Sequence, residues 1–571
     1  MIYKRPLFWV IVCGLIIGLP VLFAGFPFSS HDGNVHEVWY SNFAAQFWAG
    51  DLYPRWLQDL DDGLGGPSFF FYPPVPYWFT SLFQPFFRDQ PHSWHVLGVS
   101  AAFALVLSGV FAYLWLTQLA SKRAAAVAAV LYVAMPYHLA IDLHSRGAFG
   151  EVWSFVWMPA TLFFAQRVVR RDRFAIAGLA ISYAMLIMTH MPTTLIFSPI
   201  PPLWALWQAG RGERVRGVVL TSVAMALGIG LSAVYLLPAM MDQEWVAINS
   251  MRIGDFYYEN SFFFPGLLAG DFKIARWLFS EFMFWMVVST IGIGAFAWYV
   301  TRRSNDATIR RAALFWGLIG ILTCLMMLPV SKPVYELIRA LQMIQFPWRF
   351  NAVLAIAVSG LIALGLTTME AFPVRAAVGA LATFAAFVLL WGVFTVAPLE
   401  NTSFSKNSHL KRGPGEWKAN NWNTNEYRPR WVRGTVQDLV ARLRSPVTGR
   451  IPKARVTNNG GDVAVNQWKP RNIRLLLEGK SEMVVEVGQY YFPGWTATLD
   501  QKDSLRVVPS TQNGLVEISV PPGTHTLDLR LKKIGAERWG TMISAAALLL
   551  LIFMLTLGVA TRREKIVVST A

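Results

Sequence analysis

Charge is scarce in this chain. Of its 571 residues only 15% are Asp, Glu, Lys or Arg, against roughly 25% in soluble globular domains, while 54% are hydrophobic and mean hydropathy is +0.40. That balance excludes a single water-soluble domain and predicts a polytopic membrane protein with some soluble mass attached. Cysteine is scarcer still: Cys13 and Cys324 are the only two, both inside apolar runs. A disulfide framework and a Cys-His zinc site are thereby excluded, and both thiols read as small buried hydrophobes. Internal repeats and low-complexity tracts are lacking, and the halves show no matching hydropathy of the kind many transporters carry.

What charge there is leans basic, with a formal net of +16. Such an excess can serve nucleic acid, but here Lys and Arg gather in short connectors between apolar runs, where they set membrane topology. A nucleic-acid partner is therefore not expected. About twelve runs approach the roughly 20 apolar residues a span requires, near 6–26, 93–118, 123–141, 150–168, 174–190, 193–210, 216–241, 282–301, 312–330, 350–369, 375–397 and 538–561. The first begins with basic residues like a signal peptide, yet runs long and lacks a small-x-small cleavage site, so it reads as a retained span. The connectors "MIYKR", "SKR", "RRDR", "RGERVR", "TRRSNDATIRR" and "TRREK" all fall on one side if both termini are cytoplasmic.

The long connectors then lie outside: 27–92, 241–281, the stretch "SKPVYELIRALQMIQFPWRF", and a soluble segment from about 397 to 538. In that segment "RNIRLLLEG", "MVVEVGQYYF", "TATLDQ", "SLRVVPS", "LVEISVPPG" and "THTLDLRLKK" alternate with period two between Gly, Pro and Asn turns. The pattern predicts an extracytoplasmic β-sandwich or jelly roll. The predicted organisation is thus a mostly α transmembrane domain over 1–397, a β-rich domain over 398–537, and a final span with cytoplasmic tail over 538–571. The rings of Tyr490, Tyr491, Phe492 and Trp495 suit glycan stacking, but a role in the core or against the membrane domain is the commoner use of such residues.

The first outer loop carries the densest chemistry. His31, Asp32, His36 and Glu37 stand just after the first span, and Asn34 with Glu37 resembles a capping box. Val35, Val38, Trp39, Phe43 and Phe47 recur at helical spacing up to a stop at Gly50, predicting a helix of about four turns lying in the membrane interface. Asp32 falls just before it, where the helix dipole favours a carboxylate. Asp59, Asp61 and Asp62 follow; clustered carboxylates suit a divalent cation, and a solvated acidic turn is the alternative.

Other charged residues fall at the outer ends of spans. "DLHSRGAFGEVW" supplies His144, Arg146 and Glu151, "THMPTT" supplies His190, "PAMMDQEW" supplies Asp242 and Glu244, and "ELIRALQMIQFPWRF" supplies Glu336, Arg339 and Arg349. Arginine is suited to bidentate phosphate binding, so an outward cavity with a carboxylate and arginines fits a substrate linked to a lipid phosphate.

The stretches "HDGNVHEVWY", "AGDLYPRWLQDLDDGLGGPSFFFYPPVPYW", "SRGAFGEVWSF", "THMPTT" and "QFPWRF" resemble the bacterial membrane proteins labelled 6-pyruvoyl-tetrahydropterin synthase-related. The soluble pterin synthases are zinc enzymes, and no three-histidine zinc pattern is present. The wider resemblance is to glycosyltransferases of the GT-C superfamily, which use polyprenyl-phosphate-linked sugars and carry a catalytic acid in the first outer loop. It implies that Asp32 is the catalytic carboxylate, with His31 or His36 tuning its proton. By their outer position and chemistry, Arg55, Arg146, Glu151, His190, Arg339 and Arg349 are the candidates for the substrate and phosphate site. The acidic pair common at this place is broken by Gly33, which argues against a metal-dependent step. "PPVPYW" also resembles a pattern of lipid-A aminoarabinose transferases, but Tyr72 stands where their Lys would be. The implied activity is transfer of a sugar from a polyprenyl-phosphate donor to an envelope glycan, lipid or protein at the outer face of the bacterial cytoplasmic membrane. A lipid or polysaccharide transporter and a non-catalytic scaffold of envelope assembly are the rival readings.

Overall fold

A computed structural model describes residues 5–27, 30–87, 93–172, 174–210, 212–253, 256–263, 274–369 and 424–570. Eight of its helices are long and apolar enough to cross a membrane: Pro6–Ala24, Trp94–Leu116, Lys122–Arg146, Phe149–Val169, Arg214–Met241, Ala307–Met326, Pro347–Thr368 and Gly535–Thr556. Each coincides with a predicted span. Three other predicted spans take different forms. The run near 174–190 is the shorter helix Ala175–Ile187. The run near 193–210 is broken into Met191–Phe197 and Ile200–Gln208, because Pro192 and Pro201 suit the first turn of a helix and not its interior. The run near 282–301 lies in helix Ile274–Thr301. The predicted span 375–397 and the start of the predicted β-rich domain lie outside the described residues.

Helix Lys122–Val133 passes at Pro136 into a π-helical stretch, Tyr137–Arg146. Widened turns of this kind project side chains that a regular helix would stagger differently. Here they face inward: Tyr137, His138, Asp142 and Arg146 are all buried.

The described part of the β-rich region has nine strands: β1 (Ala454–Val456), β2 (Gly461–Lys469), β3 (Asn472–Gly479), β4 (Met483–Tyr490), β5 (Trp495–Leu499), β6 (Asp503–Leu505), β7 (Val508–Pro509), β8 (Leu515–Val520) and β9 (Gly523–Leu531). They form two antiparallel sheets, ordered β1-β4-β8-β7 and β2-β3-β9-β5-β6. Inward residues of both, including Leu475, Leu477, Val485, Val487, Ile518, Leu527 and Leu529, share one hydrophobic cluster. The alternation seen in sequence sorts these residues to the buried faces.

This region is seated on the first loop. Gln489 donates to the carbonyls of Gln58 (3.2 Å) and Gly63 (2.6 Å) and accepts from the Trp56 indole (2.8 Å). The Tyr490 N–H donates to the Leu64 carbonyl at 2.7 Å. Gly65 makes room for this contact: its φ is +77°, and a Cβ there would stand 2.6 Å from the Gln489 amide oxygen. Phe492 packs on Trp56, Phe70 and Trp245. A buried ionic joint completes the seat, with Glu537 at the start of the last span paired to Arg55 (3.1 Å) and Arg471 (3.0 Å).

Candidate functional site

The helix predicted after the first span runs from Gly33 to Trp48, so Asp32 and not Asn34 occupies its N-cap. The capping-box expectation is corrected accordingly. No side chain caps this end, and the Asp32 carboxylate instead accepts a 2.6 Å hydrogen bond from His31 Nδ1. The helix buries His36, Trp39, Tyr40, Phe43 and Ala44 within the protein, against rings such as Phe69, Tyr72 and Tyr77.

The start of this helix is fixed from below by the turn after the π-helical stretch. The N–H of His31 donates to the Ser145 carbonyl (3.2 Å) and that of Asp32 to the Arg146 carbonyl (2.7 Å). Gly147 permits the approach, since it has φ +62° and a Cβ there would meet Ser30 and, at 3.1 Å, the Gly33 nitrogen. Asp32 keeps 37% of its side-chain surface and His31 64%, so both can be reached. Burial opposes the charge of Asp32, but the His31 hydrogen bond and the positive charges of His31 and Arg146 outweigh it and hold the carboxyl below the usual range. The same hydrogen bond raises the His31 imidazole, against partial desolvation.

His36 is a different kind of group. It is 3% exposed, shares a 2.6 Å hydrogen bond with Tyr77 and is walled by Phe26, Trp39, Tyr72 and Phe149. Burial pulls its imidazole down to about 4, so it is neutral near pH 7.

Two of the arginines predicted at outer span ends, Arg146 and Arg349, are sunk into a charge cluster where three candidate spans end. Arg146 Nη1 donates to Asp142 and to Glu151, each at 2.7 Å. Tyr137 donates to the other oxygen of Glu151 at 2.7 Å, and Arg349 Nε stands 3.3 Å from Glu151. The Arg146 guanidinium lies over the Trp348 ring at 4.7 Å, and that of Arg349 over Phe346 at 5.0 Å. Asp142 and Glu151 are wholly buried. Charges this deep are tolerated only when paired, and two arginines against two carboxylates provide that pairing. The reading of isolated residues missed Asp142 and Tyr137; Asp142 stands four residues before Arg146, the helical spacing for an ion pair.

The remaining predicted residues separate from this cluster. Arg55 donates to Glu537 and to the Val234 carbonyl, away from the Arg146 cluster. His190 caps helix Met191–Phe197 through Thr193. A Cβ on Gly150 would touch both Tyr72 Oη (3.2 Å) and His190 (3.6 Å), which places His190 near the Asp32 wall. Arg339 is exposed in the turn Arg339–Ile344. The acidic triplet does not assemble a metal site. Asp61 and Asp62 take left-handed backbone conformations, Asp61 is buried, and Asp62 pairs with Arg444. Among the described residues no group of three or more His, Cys, Asp or Glu is placed to hold a metal ion. In the β-rich region Tyr490, Phe492 and Trp495 are buried, and Tyr491 packs on Trp431.

A family model described as 6-pyruvoyl-tetrahydropterin synthase related domain, membrane protein, matches residues 69–402. The match includes Arg146, Glu151, His190, Arg339 and Arg349 and begins after Asp32. No curated protein matches the chain. Among solved structures it is similar to the arabinofuranosyltransferase AftD from mycobacteria, at 16% identity and a TM-score of 0.41, over 68% of this chain and 26% of that one. The chain spans about a quarter of that protein's length.

Proposed function

The chain belongs to the 6-pyruvoyl-tetrahydropterin synthase-related family of membrane proteins, and on that premise we propose that it is a glycosyltransferase acting on a polyprenyl-phosphate-linked sugar. The observation that carries this reading is the junction of Asp32 with Arg146: an accessible, ionised carboxylate whose backbone is bonded to that of a buried arginine. A base and a cation held together in this way suit transfer away from phosphate.

In the proposed step Asp32 takes the proton of an acceptor hydroxyl. The acceptor oxygen bonds to the sugar's anomeric carbon as the bond from that carbon to the phosphate oxygen breaks. The leaving phosphate keeps the bonding electrons. Arg146 and Arg349 face its growing charge and, being already fixed by Glu151 and Asp142, need little reorganisation to do so. His31 holds the Asp32 carboxylate in place, and His36 stays a neutral support through Tyr77. The acceptor is an envelope glycan, lipid or protein at the outer face of the bacterial cytoplasmic membrane, with both termini cytoplasmic and the β-rich domain, 398–537, outside.

The test is reconstitution of the full chain in liposomes with undecaprenyl-phosphate-linked sugars drawn from bacterial membranes. Wild-type protein should release undecaprenyl phosphate and form a glycosylated product. Movement of the donor across the bilayer without cleavage would replace this reading with transport.

A further inference from the structure

The polar stretch "NTNEYRPRW", ahead of the first strand β1, is held on both sides in its described part. On one side the Ala247 N–H donates to the Arg428 carbonyl (3.0 Å), the Arg430 N–H donates to the Trp245 carbonyl (3.1 Å), and Val246 bridges Pro429. On the other side the Tyr427 ring, 6% exposed, is seated among Trp39 (5.8 Å), Phe71 (6.1 Å) and Tyr72 (6.2 Å). Trp39 belongs to the helix that Asp32 starts, and Tyr72 touches the same His36 that follows Asp32 by one turn. The turn Asn425–Tyr427 is therefore anchored against the Asp32 site.

We propose that Glu426, next to this anchor, is a second carboxylate of the Asp32 site, a positioning residue that holds a hydroxyl of the bound sugar. What it binds rests on the transferase reading above; where it stands does not. The electrostatics agree with the placement. Burial raises the Glu426 carboxyl, and the negative charge of Asp32 raises it further. The groups facing this pair are His31, His36 and Arg146 on the Asp32 side, and Thr424 and Tyr427 on the Glu426 side. A half-buried carboxyl beside aromatic rings can hold a sugar hydroxyl, whereas a fully solvated Glu would exchange that bond for water. The chain would then bring together two carboxylates far apart in sequence, one from the first outer loop and one from the turn Asn425–Tyr427.

The placement can be read without any activity. Carbodiimide labelling of carboxyls in the purified full chain, followed by mass spectrometry across pH, reports the midpoint of Asp32. Replacing Glu426 with Gln removes a neighbouring negative charge and should lower that midpoint by about half a pH unit, with Glu426→Asp close to wild type. An unmoved midpoint overturns the placement. In the liposome assay Glu426→Gln should raise the acceptor KM by roughly 10-fold with a smaller change in kcat, and Glu426→Asp should recover most of it. A shifted midpoint with an unchanged KM overturns the sugar contact and leaves the placement standing. A wild-type chain that transfers nothing refutes the transferase reading and the sugar contact together, while the labelling shift still decides the placement.

Discussion

The main-chain N–H of Asp32 donates to the main-chain carbonyl of Arg146 at 2.7 Å. The bond ties the mouth of the first span to the end of the third. It sets a reachable carboxylate one main-chain bond away from an arginine whose guanidinium pairs with Asp142 and Glu151. A backbone tie survives any change of side chain at either position, so the two chemistries can be tested separately from the geometry.

Asp32→Asn should abolish transfer, by roughly 10²–10⁴-fold, while leaving expression and thermal unfolding near wild type. Asn keeps the size and the backbone bond and loses only the base. Product formation by this variant at an undiminished rate would remove Asp32 from the chemistry.

The pH dependence of transfer should be a bell. Asp32, held below the usual carboxylate range, must be ionised, so activity falls as pH drops through its lowered pKa. His31, raised above the usual imidazole range, donates to Asp32 while protonated, so that contact weakens as pH rises through the raised pKa. His31→Gln should flatten the alkaline limb and, by removing the contact that lowers Asp32, move the acidic limb to higher pH. A pH profile of initial rates for the two proteins checks this.

Removing one member of the buried cluster should cost far more than removing an exposed charge. Arg146→Met or Glu151→Leu leaves an unpaired buried ion and should destabilise the protein by about 3–5 kcal/mol, whereas Tyr137→Phe deletes one hydrogen bond and should cost about 1 kcal/mol. Thermal unfolding in detergent, read by tryptophan fluorescence, gives the ranking. Equal effects for Arg146→Met and Tyr137→Phe would contradict the pairing seen here.

The seat of the β-rich region should fail through Gly65. Gly65→Ala meets Gln489 and Trp56 at a left-handed backbone position, a strain of about 1–3 kcal/mol. Limited proteolysis should then cut the exposed stretch 444–450 ahead of β1 faster than in wild type, with Gln489→Ala showing the same direction. Unaltered cleavage in both variants would mean that this contact does not hold the two parts together.

Much of the fold was legible because the bilayer demands simple patterns. Long apolar runs became helices at eight predicted places, and period-two alternation became strands. Two strands escaped notice, β1 and β2. β1 has only three residues, and β2 places more exposed than buried positions along its length, which blurs the alternation. The broken helices near His190 followed from prolines whose effect depends on where each turn starts.

The site was legible only in part. Sequence position alone put Asp32 beside a helix start and separated the basic connectors from the long ones. Periodicity alone put Trp39 and Phe43 on one helix face. Which charges meet was decided by tertiary structure, because an arginine at the end of a span looks the same in sequence whether it faces solvent, phosphate or a carboxylate. Packing sent Arg55 to Glu537, Asp62 to Arg444 and Arg146 to Asp142 and Glu151. Desolvation makes such choices for buried ions: once water is excluded, each charge needs a partner in reach, and only the folded chain determines which partner that is.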